Sequence, residues 1–231
     1  FRLDNRVAVV TGGTGALGAS LCRALADVGA HVVILARTEN NAVELAQAIT
    51  DAGGSALGLA CDVLDHDGLQ AAARTVQARF GRVDVLVNGA GGNRAEATAM
   101  PGHRTFFDLP QDALRWVFDL NLMGTILPSQ VFGAFMTEQG SGAIVNISSM
   151  ASMQPLTRVI AYGAAKAAVN NFTQWLAVYM ATEHSPHIRV NAIAPGFFLG
   201  EQNRFLLLND DQTLTPRGQQ IIDHTPMRRF G

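Results

Sequence analysis

Tyr162 and Lys166 stand four residues apart in Tyr-Gly-Ala-Ala-Lys. That spacing puts a phenol and an ammonium on one face of a helix. A free tyrosine titrates near 10, too high for proton exchange at neutral pH, and a neighbouring ammonium favours the phenolate and lowers that value. A phenol tuned in this way can act as a general acid or base. Ser148 and Ser149 come shortly before it, at the end of an apolar run. A hydroxyl there can hydrogen-bond a carbonyl or alcohol oxygen. Tyr-x-x-x-Lys alone also describes an ordinary helix pair, so the serines sharpen the signal.

A second constellation lies near the start. Thr11-Gly12-Gly13-Thr14-Gly15-Ala16-Leu17-Gly18 separates an apolar β-branched run from a helical stretch. Gly13, Gly15 and Gly18 match the dinucleotide fingerprint. Glycines let a backbone turn tightly and approach a pyrophosphate, while the helix N-terminus supplies free N–H donors. In an NAD site a carboxylate is expected at the tip of the second strand, on the ribose. Here that tip reads Ala36-Arg37. An arginine can bond a 2′-phosphate, so NADP(H) is favoured and NAD(H) is the alternative. A solvated surface arginine is the competing reading of Arg37. Asp62 could meet the adenine amine or cap the next helix.

The elements that must hold these residues alternate. Strands are expected at 6–11, 31–35, 56–61, 83–87, 143–147 and 188–193. Helices are expected at 16–28, 40–52, 66–80, 111–138 (with a kink at Pro128) and 161–181. This alternation implies an α/β fold, a doubly wound parallel sheet with helices on both faces. In such sheets ligands bind beyond the carboxyl ends of the strands.

Composition narrows the class. The 231 residues are 48% hydrophobic and 16% charged, with a net charge of −2. No basic excess suggests a nucleic-acid partner. No apolar run approaches a membrane span, and no secretory signal opens the chain. Cys22 and Cys61 have no metal spacing, and no metal is expected. A single dinucleotide-binding domain over 1–231 in the cytoplasm is the expectation.

Taken together, the Gly-rich turn, Asn88-Gly89-Ala90-Gly91, Asn121, Ser149, Tyr162, Lys166 and Pro195-Gly196 resemble the short-chain dehydrogenase/reductase family in order and spacing. The resemblance covers essentially the whole chain. It implies a Rossmann fold of seven strands, of which six are visible, the last being expected beyond Gly231. It implies that Tyr162 is the acid/base, that Lys166 lowers its pKa and holds the nicotinamide ribose, and that Ser149 positions the reacting oxygen. Asn121, in a long helix, would hold a water of the proton relay. Gly12, Thr14, Gly15, Ala16, Leu17, Gly18, Arg37, Asp62, Val63, Asn88, Gly89, Ala90, Pro195 and Gly196 would line the cofactor. A homodimer or homotetramer is implied as well.

The sequence departs from the family pattern at Ala16, where a glycine is usual, and at Gly200, where a threonine is common; Gln202 or Asn203 could replace the latter. The 93–110 loop is longer than usual in the family, and a substrate lid is expected over about 197–227. The stretches 124–133, 171–178 and 194–204 resemble the family's sugar-acid branch, D-mannonate oxidoreductases and gluconate 5-dehydrogenases. That implies a keto sugar acid as the small-molecule substrate, with Asn93, Arg158, Gln202 and Arg204 as contacts. A reductase of 3-oxoacyl thioesters or another small carbonyl is the alternative, and a non-catalytic cofactor sensor is the third reading.

Overall fold

A computed structural model describes residues 2–231, apart from the side chains of Glu201, Gln202 and Phe205. Its backbone divides into two compact units, one ending at Ile193 and the other spanning Ala194–Gly231.

The first unit is a parallel sheet in the order β3-β2-β1-β4-β5-β6, wrapped by helices. The strands are β1 (Val7–Thr11), β2 (His31–Ala36), β3 (Ser55–Ala60), β4 (Val85–Asn88), β5 (Gly142–Ile147) and β6 (Ile188–Ile193). The helices are α1 (Ala16–Asp27), α2 (Glu39–Asp51), α3 (His66–Phe80), α4 (Gln111–Phe118), α5 (Gly124–Gln139) and α6 (Ile160–Glu183). β1 is buried along its whole length, which suits a central strand covered on both faces. One apolar layer packs Val7, Val9, Leu86, Phe132, Met136, Ile144 and Leu176 on one side of the sheet. The other packs Ala8, Val10, Cys22, Val32, Ile34 and Ile49 on the opposite side. Alternate residues of β1 therefore feed alternate layers. The chain order reverses between β1 and β4, which makes the crevice between their carboxyl ends the switch point of the sheet.

The 111–138 helix is not one piece, and its break is not at Pro128. α4 and α5 are separated by a π-helical turn over Asp119–Met123, while Pro128 sits inside α5. Proline lacks an N–H and is tolerated there with no break in the helix. The 93–110 loop carries two short 3₁₀ turns, Ala95–Ala97 and Phe106–Asp108. The second unit contributes α7 (Glu201–Leu207) and α8 (Pro216–Asp223). Among the described residues no helix is long and apolar enough to cross a membrane.

Candidate active site

The Gly-rich turn folds as a cradle. Gly12 has φ +62°, and a Cβ on it would lie 2.8 Å from the Ala90 backbone. A Cβ on Gly13 would strike the Ile34 methyl, and one on Gly18 would run into the Gly12 carbonyl. The side-chain-free space is thus required by the packing of β1, α1 and β4 tips. Gly15 caps α1 with no side-chain bond, and the first turn carries no acidic residue. The N–H groups there are left for an anion, at the positive end of the helix dipole. Ala16 is exposed and Thr14 and Leu17 are half-buried. Thr11 Oγ1 accepts from the N–H of Gly89 at 3.1 Å and of Ala90 at 3.2 Å, stitching the β1 and β4 tips together. The cradle, the open helix end and the β1/β4 crevice fit a dinucleotide pyrophosphate.

Arg37 is exposed just past β2, while Ala36 is buried. Asp62 is exposed and its Oδ1 accepts from Leu64 N–H at 2.9 Å. It does not cap the following helix. Asp65 does, because α3 begins three residues later than an Asp62 cap would require, and Asp65 accepts from Asp67 N–H. Val63 is buried. Asn88 is also buried, and its amide donates to Ser129 and Asn146.

β5 delivers Ser148 and Ser149, and α6 delivers Tyr162 and Lys166. Ser149 Oγ accepts from Ala151 N–H at 3.1 Å and hydrogen-bonds the Tyr162 hydroxyl. Lys166 Nζ lies 5.7 Å from the centre of the Tyr162 ring. It donates to the Ile147 carbonyl at 2.7 Å, and the residue is only 3% exposed. Burial pushes the Lys166 ammonium down to about 8. The Tyr162 phenol is shifted up, against the sequence expectation. Burial raises it, and the Ser149 hydrogen bond only partly opposes that. The ammonium is close but is itself desolvated.

Asn121 occupies the π turn, and its residue is fully buried. Its Nδ2 donates to the carbonyls of Gly92 at 2.7 Å and Val117 at 2.8 Å, and its Oδ1 accepts from Gly92 N–H at 3.2 Å. A Cβ on Gly91 would lie 2.7 Å from Asn121 Oδ1 and 3.1 Å from Lys166 Nζ. The two polar ends therefore converge on one small gap over Gly91. π turns recur at functional sites because the extra residue re-aims a side chain. Sequence reading placed Asn121 in a regular helix and missed this turn.

The other predicted contacts divide. Asn93 is exposed and donates to Thr98 Oγ1 at 2.9 Å. Arg158 has φ +83°, and its carbonyl accepts from Ala99 N–H at 2.8 Å, which pins the 93–110 loop beside the Ser149–Tyr162 segment. Arg204 lies in α7 and is engaged by Gln212, within the second unit. Pro195 and Gly196 open that unit. The Gln202 side chain lies outside the described residues. Arg94, carried by the same 93–110 loop, has its guanidinium 4.4 Å over the Trp116 ring. Trp116 and Tyr162 pack against one small apolar cluster of Ala97, Ala113, Val117 and Ala161. The stacking of a loop Arg on Trp116, 22 residues away, left no sequence signal.

The family profile described as short chain dehydrogenase matches residues 6–207. An uncharacterised oxidoreductase, UxuB, from Bacillus subtilis (strain 168) is 46% identical over 99% of this chain and 84% of its own length. Among solved structures, a candidate D-mannonate oxidoreductase from Haemophilus influenzae with bound NAD is 40% identical. It superposes with a TM-score of 0.91 over 100% of this chain and 84% of that one. A gluconate 5-dehydrogenase from Burkholderia cenocepacia J2315, in complex with NADP and tartrate, is 32% identical with a TM-score of 0.87, again over 100% and 84%.

Proposed function

The chain belongs to the short chain dehydrogenase family, an NAD(P)-dependent oxidoreductase acting on alcohol and carbonyl groups, and on that premise we propose that it interconverts a keto sugar acid of the D-fructuronate type and its alcohol. The observation that carries the reaction type is the Ser149–Tyr162 hydroxyl pair with the Lys166 ammonium 5.7 Å from the phenol ring. When bound, the nicotinamide supplies or takes the hydride at carbon. Tyr162 Oη gives its proton to the carbonyl oxygen as that carbon is reduced, and takes it back in the oxidation direction. Ser149 Oγ hydrogen-bonds the same oxygen and orients it. Lys166 supplies the positive charge that favours the phenolate left behind. Asn121, facing the same gap over Gly91, would hold a water that links Lys166 to solvent.

Gly12, Thr14, Gly15, Ala16, Leu17 and Gly18 would hold the pyrophosphate. Val63, Asn88, Gly89 and Ala90 would line the rest of the dinucleotide, with Asp62 on the adenine amine. Arg37 has no side-chain partner among the described residues and follows an alanine, which supports a 2′-phosphate and hence NADP(H). The sugar-acid reading is supported by the two sugar-acid neighbours and by the cations beside the site. Arg94 stands in the segment that follows the Gly92 contact to Asn121, and the Arg158 carbonyl holds the N–H of Ala99 in the same loop; either guanidinium can pair with a carboxylate in bidentate fashion. Asn93 would meet a hydroxyl. A homodimer or homotetramer is part of the same proposal.

The test follows NADPH or NADH absorbance with D-fructuronate. Rapid oxidation of NADPH supports both substrate and cofactor. Oxidation of NADH in its place keeps the substrate and overturns the role given to Arg37. Silence with both discards the sugar acid in favour of another carbonyl.

A further inference from the structure

An unbroken line of hydrogen bonds crosses the buried centre of the first unit, from the Asn121 carbonyl at one end to α6 at the other. Thr173 lies on the face of α6 that carries Lys166, about two turns further on. Its hydroxyl donates to the Val169 carbonyl at 2.7 Å, and its oxygen accepts from Asn146 Nδ2 at 2.9 Å. Asn146 Oδ1 accepts from Asn88 Nδ2 at 2.9 Å, and the same Nδ2 donates to Ser129 Oγ at 2.9 Å. Ser129 donates to the Thr125 carbonyl at 2.7 Å, and the Thr125 hydroxyl donates to the Asn121 carbonyl at 2.9 Å. Asn88, Asn121, Thr125, Ser129, Asn146 and Thr173 are each 5% exposed or less.

The polarity of this line is forced. Thr173 and Ser129 each spend their one proton on a helix carbonyl, so each can only accept from an amide. Asn146 must then turn its NH₂ to α6 and its oxygen to Asn88. Asn88 must donate both protons, which leaves its Oδ1 the one buried side-chain atom without a partner among the described residues. Such an atom costs about 1–3 kcal/mol, and apolar residues of similar volume could fill the same space at no such cost. What directional bonds add over apolar packing is register. The α6 face toward the sheet is small and smooth around Lys166, at Ala161, Ala165 and Val169, and its larger apolar side chains, Leu176 and Met180, lie beyond Thr173. Asn146 fixes it to β5 one residue before Ile147, whose carbonyl holds Lys166 Nζ.

We propose that the seam Thr125–Ser129–Asn88–Asn146–Thr173 is a positioning device, with Asn146 as its hub, that sets Lys166 and Asn121 against each other across the gap over Gly91. It rests on the acid/base reading of Tyr162 and Lys166 given above, but its test needs no substrate. Lys166 is the only lysine in the chain. Protein labelled with lysine carrying ¹³C at Cε therefore gives one lysine signal, whose shift follows the ionisation of Nζ. The groups facing Nζ are the Tyr162 phenol, the Asn121 amide and the Ile147 carbonyl.

Thr173→Val keeps the shape and removes the hydroxyl. Once α6 is free to slip, water reaches Nζ and its midpoint rises from about 8 by about one unit or more toward the free value near 10.4. Thr173→Ser, which restores the hydroxyl, is expected to titrate as wild type. A Thr173→Val midpoint equal to wild type overturns the proposal, and so does an equal rise in Thr173→Ser. Should Thr173→Val fail to fold, Ser129→Ala loosens the other half and is read in the same way: a raised midpoint supports the seam and an unchanged one refutes it. Silence toward D-fructuronate overturns the substrate reading and leaves this result standing.

Discussion

Gly91→Ala places one methyl group where Asn121 and Lys166 converge. The new Cβ would lie 2.7 Å from Asn121 Oδ1 and 3.1 Å from Lys166 Nζ. The first distance is well inside van der Waals contact, so one side must move. Asn121 cannot turn away freely, because its amide bonds Gly92 through both ends and Val117 as well. Lys166 Nζ is the weaker hold, with its bond to the Ile147 carbonyl. Overpacking of this kind costs about 1–3 kcal/mol. For a chain of this size that lowers Tm by roughly 2–12 °C, taking about 2–4 °C per kcal/mol. The larger effect falls on turnover, since a shift of about 1 Å at the reacting groups costs on the order of 100-fold. The cradle of Gly12–Gly18 is untouched, so nicotinamide cofactor affinity is expected to stay within about threefold of wild type, on the order of 0.7 kcal/mol. Steady-state kinetics and cofactor titration on Gly91→Ala read both quantities. A variant with wild-type kcat would refute the convergence of Asn121 and Lys166 as a working part of the site.

Gly18→Ala drives a Cβ into the Gly12 carbonyl, and cofactor affinity by titration is expected to fall by at least tenfold, about 1.4 kcal/mol. Asp84 is buried between Arg6, Arg82 and the Val7 N–H. Burial raises its carboxyl pKa, but the bonds from Arg82, Val7 and Arg6 together hold it below the usual value. Its contribution to stability is therefore present above the unfolded carboxylate pKa near 4 and is lost as pH falls through the lowered folded value. Asp84→Asn is expected to melt below wild type at pH 7, with the gap closing below about pH 4 in thermal melts across pH. For Lys166 the folded pKa is lowered, so its charge opposes folding below about 8, and that penalty fades as pH rises toward the unfolded value near 10.4. Lys166→Met is expected to melt above wild type at pH 7, with the advantage shrinking through that window.

The sheet was legible because β-branched runs such as those in 6–11 and 31–35 alternate with helical periods. His66 to Phe80 matched to the residue, since Asp65 caps one end and Gly81, at φ +68°, closes the other. The 111–139 region was not legible. Helical periodicity continues through a π turn, and the extra residue leaves no mark in composition. Tyr162, Lys166 and Ser149 announced themselves by spacing on regular elements. The Arg94–Trp116 stack and the seam did not, because they are brought together across elements by side chains far apart in the chain. The direction of the Tyr162 shift was also beyond reach, since burial is set by packing and not by the i, i+4 spacing.

The central claim is that Tyr162 moves the proton while the nicotinamide moves the hydride. It is tested most directly by following NADPH and NADH oxidation with D-fructuronate in wild type and Tyr162→Phe side by side, with cofactor affinity measured on both. The account predicts equal cofactor affinity and a loss of turnover of about 100- to 10,000-fold in the variant. Turnover by Tyr162→Phe at the wild-type rate would contradict it.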